Sequence, residues 1–407
     1  VTELHTRGAA TGTGDRSRPR AVLPALCATQ ITSWGIIFYA FPVLNPAITA
    51  DTGWPPGATT GAFSLALLIS AFAGIRVGRI IDHRGPRTVM TTGSVLGVVS
   101  LLIIAAAPNL PLLIAGWLLA GLAMAATFYQ PAFAALTRWW APDHVRALTI
   151  VTLAGGLAST VFAPITAALA DHMSWRATYT VLAMILGIVT IPTHALALKA
   201  LWPAVPLALP VQTGDSATAV AHSRPFWVLA AALTLSALTV SAVVVALVPL
   251  LLERGYSTDE AAWALGIGGA GQTLGRALYS TLARRSGTTA RTTALIALGG
   301  LTTAALGLVP GPYTVLVALS IAAGMVRGNL TLLQATAVTD RWGATHYGRL
   351  SGILAAPVTV ASALAPWAGA VLAGPLGGYD GLFLALAISS AAAAVLSATS
   401  GRLTLRH

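Results

Sequence analysis

Residues 78–87 read GRIIDHRGPR: three arginines, an aspartate and a histidine set between two long apolar runs. So many charges cannot lie in hydrocarbon, where one ionised side chain costs about 2.5–3.5 kcal/mol on insertion scales. The stretch therefore reads as a short basic turn at a membrane face. Asp82 follows Gly78 by four residues, and Gly85 and Arg87 close the turn. Its flanks, 58–77 and 88–107, each supply the roughly 20 apolar residues that a spanning helix needs.

The composition agrees. Of 407 residues 56% are hydrophobic and 9% charged, against about 25% charged in soluble domains. The net charge of +11 is no nucleic-acid footprint, because the basic residues sit in short loops between apolar runs. A single cysteine, Cys27, excludes an intramolecular disulfide and a thiolate cluster. No Walker loop and no His/Cys cluster is present, and too little soluble mass remains for a catalytic domain. The sequence thus predicts an all-α integral membrane protein that is not an enzyme, with no cofactor and no metal.

Outward from the basic turn, the chain predicts twelve transmembrane helices. Residues 1–20 form a polar tail, expected to be disordered and cytoplasmic. Residues 21–198 hold six apolar runs, and 225–398 hold six more. Between them, 199–224 is rich in proline and charge and reads as a linker; 399–407 is a second tail. The first run carries Gly35, Pro42 and Pro46 and is expected to bend toward its far end. On this path only Arg176 and Arg254 of the 23 Lys and Arg fall on the far side, and Arg276 and Arg327 fall within helices. The other nineteen gather on one side, which predicts both termini in the cytoplasm and the plasma (inner) membrane as location.

The two halves repeat at a period of about 202 residues. Arg138-Trp139 with Arg146 recurs as Arg341-Trp342 with Arg349, Ala163-Pro164 as Ala365-Pro366, and Gly85 as Gly287. In the second copy Arg284 stands where the first has Asp82. Parallel six-helix repeats of this kind place substrate between the halves near mid-membrane.

The basic turn, the repeat, the segment Ser174-Trp175-Arg176 and the segment 253–257 (ERGYS) together resemble the major facilitator superfamily over nearly the whole chain. The turn departs from the superfamily pattern at His83, where a stronger base is usual. Within the superfamily the chain looks most like bacterial relatives of monocarboxylate transporters. The resemblance implies a major facilitator fold and a conformational latch at Gly78, Asp82, Gly85 and Arg87. Arg138 is an expected ion-pair partner for Asp82, and the start of the eleventh helix a second partner.

Candidate site residues lie in the helices. Arg327, in GMVRGN (324–329), must face a cavity or a partner, because mid-membrane arginine is costly. It either binds an anionic group or pairs with helix carbonyls. Arg276 of helix eight either contacts substrate or snorkels to the membrane face. Monocarboxylate transporters carry an aspartate four residues before this arginine; here Gln272 replaces it, which puts their proton coupling in doubt. Tyr129 and Asn329 are polar groups that line a path or bond neighbouring helices, as are Gln130, Tyr39 and Asn45. Trp34 and Phe38 face either the cavity or lipid. His194 reads as a boundary residue, and no Asp or Glu lies mid-helix.

The leading expectation is secondary transport of a small organic anion by alternating access, in a monomer whose partners are its substrate and the bilayer. A second reading is efflux of an apolar drug or metabolite, with structural arginines. A third, of another class, is a sensor or scaffold that transports nothing.

Overall fold

The computed structural model describes residues 19–140, 144–202, 215–342 and 347–404. Six helices build the first half: α1 (Val22–Thr52), α2 (Pro56–Arg84), α3 (Pro86–Ala106), α4 (Leu110–Trp139), α5 (Arg146–His172) and α6 (Trp175–Ala197). Six build the second: α7 (Arg224–Glu253), α8 (Thr258–Arg285), α9 (Thr288–Leu308), α10 (Tyr313–Thr336), α11 (Tyr347–Ala373) and α12 (Tyr379–Thr404). Eleven are apolar enough to cross a membrane by hydropathy alone. The twelfth, α8, is 28 residues long but carries glycines, Gln272 and Arg276, which lower its hydropathy.

The basic stretch differs from its sequence reading. Residues 78–84 continue α2 as helix, and the turn shrinks to Gly85, whose φ of +77° favours glycine. Pro86 then opens α3 at a position where its missing N–H costs nothing. The predicted linker also contains a helix, Asp215–His222. At the opposite face the turns are capped: Asn109 accepts from Leu112 N, Ser174 from Ala177 N, and Ser257 forms a capping box with Glu260.

The two arginines on that opposite face have structural partners. Arg176 donates to the carbonyls of Ala105 (3.1 Å) and Ala107 (2.7 Å), at the end of α3. Arg254 donates to Gly307 and Val309 (both 2.8 Å), at the end of α9, and pairs with Asp380 at 2.6 Å. Each covers carbonyls that the helix end leaves without partners, where the helix dipole also favours a cation.

The halves meet along α2 with α11 and α5 with α8. Contact is closest toward the face away from the termini. There the Trp367 N–H donates to Ser64 Oγ at 3.1 Å, and Thr160 Oγ1 donates to Gly266 O at 2.8 Å. Val43 packs against Val243, Val244 and Leu247 in one apolar cluster. Toward the terminal face there is open space beside α2 and α11: a Cβ on Gly78 or Gly352 would meet nothing within 4 Å. The space between the halves is thus closed on one side and reached from the side of the termini.

Candidate functional site

Glycines build one wall of this space. Gly271-x3-Gly275 on α8 faces Gly324-x3-Gly328 on α10, a spacing that puts small residues on one stripe of each helix. A Cβ on Gly324 would collide with the Gly268 carbonyl oxygen, and one on Gly328 with the Gln272 carbonyl oxygen. With the backbones in direct contact, Gln272 and Arg327 meet side by side, and Arg327 Nη2 donates to Gln272 Oε1 at 3.1 Å. Arg276, one turn along α8, is 8% exposed and donates to the Thr152 carbonyl of α5 at 2.5 Å. Tyr129 lines the same cavity. The Nε atoms of both arginines are buried without partners.

A broken helix builds the other wall. Pro131 has no N–H, so the Thr127 carbonyl loses its helical partner. α4 breaks there, with Phe128 in extended backbone (φ −77°, ψ −160°). The Gln30 amide of α1 donates to the freed Thr127 carbonyl at 2.6 Å. Beside it, Trp34–Tyr39 is wound as a π-helix, the Ala40 N–H bonding Gly35 O five residues back. Together the two irregularities present aromatic rings. Trp34 stacks on Phe128 at 4.0 Å between centroids and tilts against Tyr129 at 5.2 Å and Phe38 at 5.4 Å.

Between the walls is a cavity of about 450 Å³. Trp34, Phe38, Tyr39, Phe128 and Tyr129 form its aromatic side; Arg276 and Arg327 are the charged residues among its described lining. Thr331 and Gln334 continue from Arg327 along the same stripe of α10. Such a space can hold a molecule with a flat apolar body and an acidic end.

Of the residues singled out by sequence, the structure brings together Arg327, Arg276, Gln272, Tyr129, Gln130, Tyr39, Trp34 and Phe38 at this cavity. Asn329 is placed elsewhere. Two residues from Arg327 means about 200° around a helix, and Asn329 bonds the Met325 carbonyl of its own helix at 2.9 Å. Asn45 lies nearer the closed face, beside Pro249 and Pro366. His194 is fully buried between α3 and α6, with Nδ1 2.8 Å from Ser94 Oγ.

The other residues expected to form a latch lie at the terminal face. Arg87 donates to the Ala195 carbonyl at 2.8 Å, Gly85 packs under Trp202, and the Arg138 guanidinium lies 4.7 Å from the Trp202 ring centre. The Asp82 side chain and the Arg349 side chain lie outside the described residues, so the Asp82 pairings do as well. In the second half the acid has changed place. Asp340, at the end of α10, pairs with Arg291, at the start of α9, at 2.5 Å, and the Arg291 guanidinium lies 5.7 Å from the Tyr279 ring centre.

Sequence reading passed over Gln30, Phe128 and Trp202. Pro131 was the available signal for the first two, because a proline inside a span frees a carbonyl that some polar side chain must meet. Nothing near Trp202 in sequence marks it, since its partners are up to 117 residues away.

A sequence model of the Major Facilitator Superfamily matches residues 26–333 and 229–402. Monocarboxylate transporter 13 of Bos taurus is 29% identical over 314 residues, 75% of this chain and 70% of that protein. Its counterpart in Rattus norvegicus is 27% identical over 363 residues, 87% of this chain and 79% of that protein. Among solved structures, an inward-facing, unoccupied bacterial homolog of the human lysosomal transporter Spinster superposes with a TM-score of 0.77 at 14% identity, covering 97% of this chain and 99% of the other. The nucleoside transporter NupG (D323A mutant) superposes with a TM-score of 0.71 at 14% identity, covering 95% and 99%.

Proposed function

The chain belongs to the major facilitator superfamily of membrane transporters, and on that premise we propose that it carries an amphipathic organic anion, an aromatic or similarly apolar carboxylate, by alternating access. One observation carries the reading: two arginines face a wall of aromatic rings across a cavity of about 450 Å³. The carboxylate takes free N–H donors of Arg327 and Arg276, and the apolar body stacks against Trp34, Phe128 and Tyr129. The similarity to monocarboxylate transporter 13 supports the same class. The terminal face is cytoplasmic on this reading, in keeping with the side on which nineteen of 23 basic residues gather. Gly78, Asp82, Gly85, Arg87 and Arg138 then form the latch that closes that face.

The test is thermal stabilisation of the purified protein by phenylpyruvate, an aromatic ring on a strongly acidic carboxylate. Losing one charged hydrogen bond costs about 1.5–3 kcal/mol. Arg327→Ala should therefore weaken binding by about 10-fold to 150-fold while leaving the unliganded protein folded. Stabilisation by a lipophilic cation such as tetraphenylphosphonium, equal in wild type and Arg327→Ala, would instead favour apolar, cationic substrates and make the arginine structural.

A further inference from the structure

Among the described residues that line it, the cavity holds two positive charges and no acid. The sequence has twelve acidic residues, and none is among the described residues that line the cavity. Asp51, Asp171, Glu253, Asp259, Glu260 and Asp380 lie at helix ends or turns on the face away from the termini. Asp340 is paired with Arg291. In sequence Glu3 and Asp15 precede α1, Asp143 falls between α4 and α5, and Asp82 and Asp215 fall near the end of α2 and ahead of α7. The one histidine within a span, His194, faces Ser94 and is walled off from the cavity between α3 and α6. Arginine keeps its proton in proteins. The cavity therefore can neither take up a proton to carry nor discharge itself when empty.

Its arginines are also short of partners. Each guanidinium has five donors. Arg327 spends one on Gln272, a neutral acceptor, and Arg276 spends one on the Thr152 carbonyl. To change the side from which it is reached, the cavity must close at both faces. That step encloses both charges in a low-dielectric interior, which is strongly unfavourable without a counter-charge. A bound carboxylate halves the enclosed charge and gives both guanidiniums an ionised acceptor, which lowers the obstacle.

We propose that this protein is an obligate anion exchanger, in which the loaded cavity reorients and the empty one does not. The proposal rests on the anion reading above and adds the mode of transport: uptake of one organic anion is coupled to release of another and not to protons. Gln272 is the residue that sets the mode. An acid there would neutralise Arg327 from within and let the empty carrier return.

The experiment uses the full chain in proteoliposomes, with labelled phenylpyruvate outside and either unlabelled phenylpyruvate or buffer alone inside; vesicles without protein give the leak. Uptake should be at least tenfold faster with the anion inside, and unchanged by a protonophore or an imposed pH gradient. Gln272→Asp should allow uptake into vesicles holding buffer alone. Equal uptake in both arms, driven by an inward proton gradient, would overturn exchange and leave the anion reading standing. No protein-dependent uptake in either arm, together with no thermal stabilisation by phenylpyruvate, would overturn the anion reading itself.

Discussion

Replacing Gly324 by alanine should loosen the protein where its two arginines are held. The new Cβ would overlap the carbonyl oxygen of Gly268 and press on the backbone nitrogen of Gln272. Both neighbours are backbone, so no rotamer can yield, and α8 and α10 must part by on the order of 1 Å in a close-packed interior. Overpacking of this kind costs about 1–3 kcal/mol. The higher helix propensity of alanine returns at most about 1 kcal/mol. At about 2–4 °C per kcal/mol for a unit the size of one half, the apparent melting temperature should fall by several degrees. Gly352→Ala is the control. It too is helical, but its Cβ meets open space, so it should melt no lower than wild type. Parting the helices also lengthens the 3.1 Å bond from Arg327 to Gln272, so anion binding should weaken with stability. The assay is melting of the detergent-purified protein followed by intrinsic fluorescence, with and without phenylpyruvate. A Gly324→Ala variant that melts at or above the wild-type temperature would refute the direct backbone packing, and with it the account of how the arginines are placed.

Gln30→Leu should remove the donor from the Thr127 carbonyl and strand a buried acceptor, at a cost of about 1–3 kcal/mol; the same melting assay reads it, and lower phenylpyruvate affinity should accompany it because α4 carries Phe128 and Tyr129. Two charge deletions should differ in degree: Asp340→Ala removes a carboxylate that is 28% exposed from Arg291, itself 4% exposed, and should cost more than Asp380→Ala, which removes a carboxylate that is 57% exposed and leaves Arg254, 8% exposed, with its two carbonyl partners. Equal losses in melting temperature would contradict the burial of the Arg291 pair.

The class of this protein was legible in one dimension because the bilayer makes it so. In hydrocarbon every backbone polar group needs an internal partner, so long apolar runs become helices and charge collects at their ends. Composition, twelve runs and the sorting of basic residues follow from that constraint, and so does the expectation that Arg327 and Arg276 face something polar. Helix α8 shows the rule at its edge: it reads as an apolar run in sequence, yet its glycines, Gln272 and Arg276 leave its hydropathy below that of the other eleven spans. What the residues could not show is which of them share a space. That Arg327 meets Gln272 and Asn329 does not depends on the angle around α10 and on glycines that let two backbones touch. That Trp34 stacks on Phe128 depends on a π turn in one helix and a break in another, repaired by Gln30 across 97 residues. Membership of the membrane is a property of each segment in its solvent and is written locally. The site is a property of contacts between segments, and close packing between helices settles those only when the whole bundle has assembled.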